Sequence, residues 1–454
     1  MTLLRQTGKS RWLLSGLTQG WCPAKRVSLL GVLCLLPAFV FADGFSTHPL
    51  PDWPGDTLTW FFTEKETDVF PSSHATGSFA RRYLHRIGTE IAPSYILPAN
   101  PFFSGMNKNR RPIRNSFSVH LNYSFQVRPD TYADRIYGGP YQGIGLAYYA
   151  LEDREEVGTP VALYLFQGAR IARLDPRISL NYEWNFGISA GWKPYDYYEN
   201  YHNKAIGSRM NAYIHLNIYL NWVLSRQFDL VTGVGFSHFS NGNTKMPNAG
   251  MNTVGMNVGL VYYIHRETTP FSSASARPAV PAFDKHISYD LLLFGSWRRK
   301  TNESKTEPAI SPKAYMVSGF NFASMYNFCY KWRAGLSLDG VYGESANTYV
   351  EDYRSGYYNQ QFRKPGLSRQ LALGVSARAE YVMPWFTVGA GIGMNVLHRG
   401  GDLKACYQIL SLKTDLTRNS YLHIGYSIQD FHSPNFLMLG VGYRFRNKRG
   451  FYRP

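Results

Sequence analysis

Across residues 209–222 every even position is apolar: Met210, Ala212, Ile214, Leu216, Ile218, Leu220 and Trp222. Arg209, Asn211, His215, Asn217 and Asn221 fill most of the odd positions. Residues 179–192 repeat the alternation, with Leu180, Tyr182, Trp184, Phe186, Ile188, Ala190 and Trp192 on one parity. Strict period two puts one face of a strand in an apolar medium and the other in a polar one. Soluble sandwich strands run about 5–6 residues, whereas a bilayer demands about 9–11, tilted. The longer class fits. Ile214, Leu216 and Leu220 should therefore contact lipid, with Asn217 and Asn221 facing a lumen.

The same alternation marks 116–128, 252–264, 286–298, 332–342, 371–382, 386–398, 421–430 and 435–445. It is weaker over 86–97, 143–151, 161–172, 314–323 and 407–416. No stretch after Ala42 strings together enough apolar residues for a spanning helix, which needs about 20. An open sheet edge in hydrocarbon would leave backbone groups unpaired, so such strands must close. The pattern predicts an all-β antiparallel transmembrane barrel of about 14–16 strands. Its halves span 84–266 and 285–446, around a Pro-, Ser- and Ala-rich connection at 267–284. One large barrel is the expected closure; two eight-stranded barrels in tandem are the alternative. With chain ends on the periplasmic side, the short turns at 224–226, 383–385 and 417–420 lie there too. The longer segments 193–207, 241–251, 300–312 and 345–367 then become external.

Targeting and composition agree with export. Residues 1–42 carry Arg5, Lys9, Arg11, Lys25 and Arg26, no acidic residue, and an apolar run from Val27 ending in Ala42. That is the pattern of a cleaved secretory signal peptide, and Pro37 interrupts a run already short for a membrane anchor. Residues 43–83 lack periodicity and read as a periplasmic tail or plug, and 447–454 as a short tail. Aromatics make up 16% of the chain and charged residues only 17%, which removes disorder and coiled coil. Cys329 and Cys406 have no motif spacing, so a free thiol and a single bridge both stay open. The cluster Glu152, Asp153, Arg154, Glu155, Glu156 reads as a solvated loop.

One segment breaks the apolar row. In 233–240 the even positions Val234 and Phe236 are followed by His238 and Ser240, at the external end of their strand. Polar side chains facing lipid are costly, so the pair demands a reason. A His two residues from a Ser on one face can act as general base to a hydroxyl nucleophile. Asn241 and the Gly242 N–H can donate to an oxyanion. The bland reading is a loop end at headgroup level with a structural His.

The segment His238-Phe-Ser240-Asn241, followed by Pro247-Asn248-x-Gly250, resembles the lipid A 3-O-deacylase family of outer-membrane barrels. Members remove the ester-linked 3-hydroxyacyl chain at position 3 of lipid A. The resemblance implies that His238 is the base, Ser240 the nucleophile and Asn248 part of a supporting loop. The family places a Glu fourteen residues after the His to orient the imidazole; here that residue is Asn252. Asn252 can hydrogen-bond the ring but adds no charge. The implied activity is a Ser-His esterase on lipid A, with no cofactor or metal. The opposing reading is a non-catalytic barrel (transporter, channel or surface protein) that kept the motif. Longer relatives are known as acyloxyacyl hydrolases by similarity.

The final strand, with Leu437, Leu439, Val441, Tyr443 and Phe445 on one parity, resembles the terminal strand read by the barrel-assembly machinery. The net charge of +17 suits an anionic partner, and Arg298, Arg299, Lys300 and Lys305 are placed to hold lipopolysaccharide phosphates. Outer-membrane lipid is the surrounding partner, and nucleic acid is excluded for an exported barrel.

Overall fold

The computed structural model describes residues 83–448 except 130, 265, 267–279, 300, 303–308, 312, 352–360, 405 and 432. The signal peptide, most of the expected tail or plug and most of the 267–284 connection lie outside the described residues. So do Lys300 and Lys305.

Eight strands make the first barrel: β1 (Tyr83–Ile96), β2 (Asn115–Val127), β3 (Tyr141–Leu151), β4 (Gly158–Asp175), β5 (Ile178–Trp192), β6 (Met210–Val223), β7 (Phe228–Ser240) and β8 (Met251–Ile264). Each pairs antiparallel with its sequence neighbour, and β1 closes on β8 with Thr89 opposite Leu260. Further strands follow as β9 (His286–Arg298), β10 (Thr301–Asn302), β11 (Ala309–Ile310), β12 (Tyr315–Asn327) and β13 (Trp332–Gly343). Then come β14 (Tyr349–Glu351), β15 (Gln361–Arg363), β16 (Leu371–Val382), β17 (Phe386–Leu397), β18 (Cys406–Asp415), β19 (Ser420–Gln429) and β20 (Ser433–Phe445). The pairs β10–β11 and β14–β15 are small separate hairpins. The other eight close a second barrel, with Val441 of β20 opposite Leu293 of β9.

The all-β barrel expectation holds, and the closure is the alternative one. One large barrel would need β8 to pair with β9. Instead β8 spends its free edge on β1, and β20 spends its edge on β9.

Eight strands leave room for side chains and little else. In the first barrel Arg86 stacks 4.0 Å over the Tyr141 ring, whose hydroxyl donates to Glu183 at 2.8 Å and meets Tyr219 at 2.6 Å. In the second, Arg333 joins Asp290 (2.8 Å) and Glu380 (2.7 Å), and Lys413 reaches Glu380 at 2.7 Å. Arg444 adds a contact to Asp290 at 3.3 Å. Both interiors are packed polar cores.

The barrels stand side by side with the same end up. Near the short turns, Tyr182 donates to Met383 Sδ (3.4 Å) and Phe125 meets Trp385 edge-on. Higher up, Trp184 packs against Phe386, with centroids 5.1 Å apart. At the long-loop end, Ile214 clusters with Tyr426, Ile428 and Leu437. Ile214 therefore touches the second barrel, where lipid was expected. Leu216 and Ile218 remain exposed, and Asn217 is buried inward.

Glu152, Arg154 and Glu155 are exposed, as a solvated loop requires, while Glu156 is buried and accepts from the Lys108 N–H (2.8 Å). Cys329 lies in the β12–β13 turn and Cys406 opens β18 at the opposite end of the barrel, so the two are not bridged to each other.

Candidate functional site

The β7–β8 hairpin sets the site by register. His238 is paired with Asn252 across the two strands, which brings their Cβ atoms to about 4.5–5.5 Å. Ser240 is two residues on, so it shares the outward face. The imidazole bridges the two: Nδ1 lies 2.6 Å from Asn252 Oδ1, and Nε2 lies 3.0 Å from Ser240 Oγ. With Oδ1 facing it, Nδ1 carries the proton and donates. Nε2 is left to accept from the Ser240 hydroxyl. That tautomer is the one a general base requires.

Phe239 points inward between these residues. Its ring packs on Trp192, Tyr149 and Tyr213 at centroid distances of 4.9, 5.0 and 5.3 Å. A fully buried aromatic floor fixes the β7 backbone from which His238 and Ser240 project.

The loop after Ser240 is pinned by Asn248. Its Oδ1 accepts from the Asn241 N–H (3.0 Å), and its amide donates to Asn243 Oδ1 (3.1 Å). Asn241 Nδ2 is buried with no acceptor among the described residues. An unpaired buried donor costs about 1–3 kcal/mol, and one beside a nucleophile is suited to developing negative charge. Gly242 adopts φ +62°, in the left-handed region. Gly250 has φ +73°, and a Cβ there would lie 2.7 Å from the Phe239 carbonyl and 3.3 Å from His238 Cε1. Only glycine brings that backbone over the imidazole.

His238, Ser240 and Asn252 are 3, 7 and 3% exposed. They keep the outward parity expected of them, yet they do not stand in open lipid as that parity implied. Ile214, paired with His238 in the register, packs in one buried cluster with Tyr426, Ile428 and Leu437 of the second barrel, and the Gly250 backbone closes over the imidazole. The cover removes the cost that a lipid-facing polar pair would carry. No single strand signals it, because Tyr426 and Ser240 lie far apart in the chain.

Other expected ligands fall elsewhere. The Arg298 guanidinium donates to Ser345 Oγ (3.0 Å) and to Asn435, so it is held inside the barrel mouth. Two further Ser–His pairs occupy the first lumen: Ser118 with His120 (3.0 Å) and Ser237 with His215 (2.9 Å). Both point inward, where an ester borne by the membrane has no access. Their inward parity, read against the outward row of His238, could have been used to find and set them aside.

Family models cover both barrels. Residues 117–261 match the model described as lipid A 3-O-deacylase (PagL), and residues 287–447 match acyloxyacyl hydrolase, C-terminal domain. No curated protein sequence matches the chain significantly. Among solved structures, the outer membrane enzyme PagL is 14% identical, with a TM-score of 0.25, over 38% of this chain and 97% of that one. The FrpB iron transporter from Neisseria meningitidis is 11% identical, with a TM-score of 0.22, over 80% of this chain and 70% of that one.

Proposed function

The chain belongs to the lipid A 3-O-deacylase (PagL) family of bacterial outer-membrane barrels, and on that premise we propose that it is an esterase acting on lipid A. The supporting observation is the continuous hydrogen-bonded line Asn252–His238–Ser240. In this reading Ser240 Oγ attacks the carbonyl carbon of the 3-acyl ester while His238 Nε2 takes its proton. Asn241 Nδ2 and the Gly242 N–H hold the oxyanion. Collapse breaks the bond to the lipid A oxygen, which leaves with the proton from His238. Water, activated by the same imidazole, then frees Ser240 and releases a 3-hydroxy fatty acid.

Asn252 keeps the tautomer without adding charge. Replacing the acid of a Ser-His-Asp triad by Asn costs about 10⁴ in rate because the amide selects the wrong tautomer. Here the carbonyl oxygen faces Nδ1, so only the electrostatic share of that loss applies. A Cys-His-Asn arrangement works on the same principle.

The non-catalytic reading draws on the missing carboxylate alone. Its channel form has two filled eight-stranded lumens against it. The export signal at residues 1–42 and recognition by the assembly machinery belong to this proposal as well. Mass spectrometry of lipid A from cells with and without the gene tests it. Loss of one ester-linked 3-hydroxyacyl chain only when the gene is present is the expected result, and identical lipid A in both would refute it.

A further inference from the structure

The long-loop end of the first barrel is stoppered. Phe102 and Phe103 of the β1–β2 loop, Val157 of the β3–β4 loop, and Ala205 and Ile206 of the β5–β6 loop share one buried cluster. Asn203 fixes the last of these segments. Its Oδ1 accepts from the Ala205 and Ile206 N–H groups (3.2 and 3.0 Å), and its amide donates to the Glu156 and Lys193 carbonyls, both at 3.0 Å. The segment also rests on the loop that follows Ser240. The Gly250 N–H donates to the Ala205 carbonyl (3.0 Å), and a Cβ on Gly207 would collide with the Pro247 carbonyl oxygen.

The outer part of the same β5–β6 loop displays tyrosines. Tyr197, Tyr198 and Tyr201 are 67, 90 and 50% exposed. Tyr197 stands edge-on to both others, at centroid distances of 5.2 Å to Tyr198 and 6.0 Å to Tyr201. The Lys204 ammonium lies 3.9 Å from the centre of the Tyr201 ring and 4.2 Å from that of Tyr195. The backbone beneath is tied down. Asp196 Oδ1 accepts from the Tyr198 and Glu199 N–H groups (2.9 and 3.1 Å), and Asn200 Nδ2 donates to the Glu156 carbonyl (2.9 Å). Exposed aromatic clusters mark binding surfaces, and rings on an ordered backbone lose little freedom when a ligand arrives.

The composition of the loop selects the occupant. Asp196, Glu199, His202 and Lys204 interleave with the rings, and Pro194 is the one non-aromatic apolar residue between Lys193 and Lys204. Hydrocarbon would strip those charges of water, so acyl chains do not suit the surface. A sugar does. It offers C–H groups on its faces and hydroxyls at its edge, which complement a tyrosine ring flanked by carboxylate and ammonium groups. Resting on the lipid A reading above, we propose that Tyr197, Tyr198 and Tyr201 are a saccharide-binding surface for the sugar portion of lipopolysaccharide. The β5–β6 loop then fixes the head of the glycolipid at the end of the barrel where Ser240 lies. Only the acyl ester remains to be aligned.

Full-length protein in detergent would be titrated calorimetrically with the acyl-free saccharide that mild acid releases from the cell's lipopolysaccharide. Saturable binding by the wild type, weakened about tenfold or more in Tyr197→Ala/Tyr198→Ala, is the expected result. Both side chains are exposed, so the double variant should keep the heat-modifiable mobility of a folded barrel. Tyr198→Trp retains an aromatic face and should bind as the wild type does. No binding by the wild type, or equal binding by the folded double variant, would overturn the proposal. So would a Tyr198→Trp protein that binds no better than Tyr198→Ala. A wild-type dimer that the double variant loses, with no saccharide bound, would make the rings a protein interface and overturn it too. Acyl release from intact lipopolysaccharide is measured separately. Saccharide binding without acyl release refutes the esterase reading alone, and acyl release without saccharide binding refutes the proposal alone.

Discussion

His238 does its work through two hydrogen bonds of different length and purpose. The shorter, at 2.6 Å, sets the tautomer through Asn252, and the longer, at 3.0 Å, reaches the nucleophile. Asp is isosteric with Asn, so Asn252→Asp fits the present geometry and adds the missing charge, whereas Glu needs room for one more methylene. The expected outcome is a rise in kcat/KM for acyl release of about tenfold or more. A fall in a correctly folded variant would show that the site depends on a neutral partner. Parity put His238 and Ser240 on one outward face, and the family resemblance pointed fourteen residues on to Asn252, which pairs with His238 across the hairpin. The orphaned amide of Asn241 was not legible from the chain, since it depends on where Asn248 pulls the loop.

At the scale of the strand, period two located the elements to within a few residues, even over the weaker stretch now seen as β4. What alternation cannot tell is which apolar medium an outward residue meets. Ile214 and Ile218 have the same parity on β6, yet one packs on the second barrel and the other stays exposed. Hydrocarbon and another barrel's face select the same side chains. Ile218, near the middle of β6, should therefore be sensitive to charge. Ile218→Arg is expected to destabilise by about 2–4 kcal/mol, and Leu224→Arg at the short turn by no more than about 1 kcal/mol. Urea titrations followed by gel mobility in lipid would check this. Equal effects at both positions would contradict a membrane-embedded β6.

For the whole molecule, closure was the feature the chain concealed. Sixteen barrel strands of one pattern serve one barrel or two, and the choice rests on edge pairings such as Leu293 with Val441, distant in sequence. The charged residues of the second lumen carried a readable hint. Asp290, Arg333, Glu380, Lys413 and Arg444 all have inward parity, and their mutual ion pairs fit a narrow interior. Separating such a set leaves buried charges uncompensated, and that cost keeps the paired lumen shut. Purified protein in planar bilayers is accordingly expected to give no ionic conductance. Steady single-channel steps would revive the channel reading.

Whether Ser240, activated by His238, cleaves an ester of lipid A is decided by acyl release from lipopolysaccharide by the purified protein. Wild-type, Ser240→Ala and Asn252→Asp proteins, each checked for heat-modifiable gel mobility as a sign of folding, would be incubated with lipopolysaccharide and the freed 3-hydroxy fatty acid measured. Slow release by the wild type, faster release by Asn252→Asp and none by Ser240→Ala are the expected results. Folded wild type and Asn252→Asp that release nothing, or Ser240→Ala that releases as much as wild type, would contradict the esterase reading.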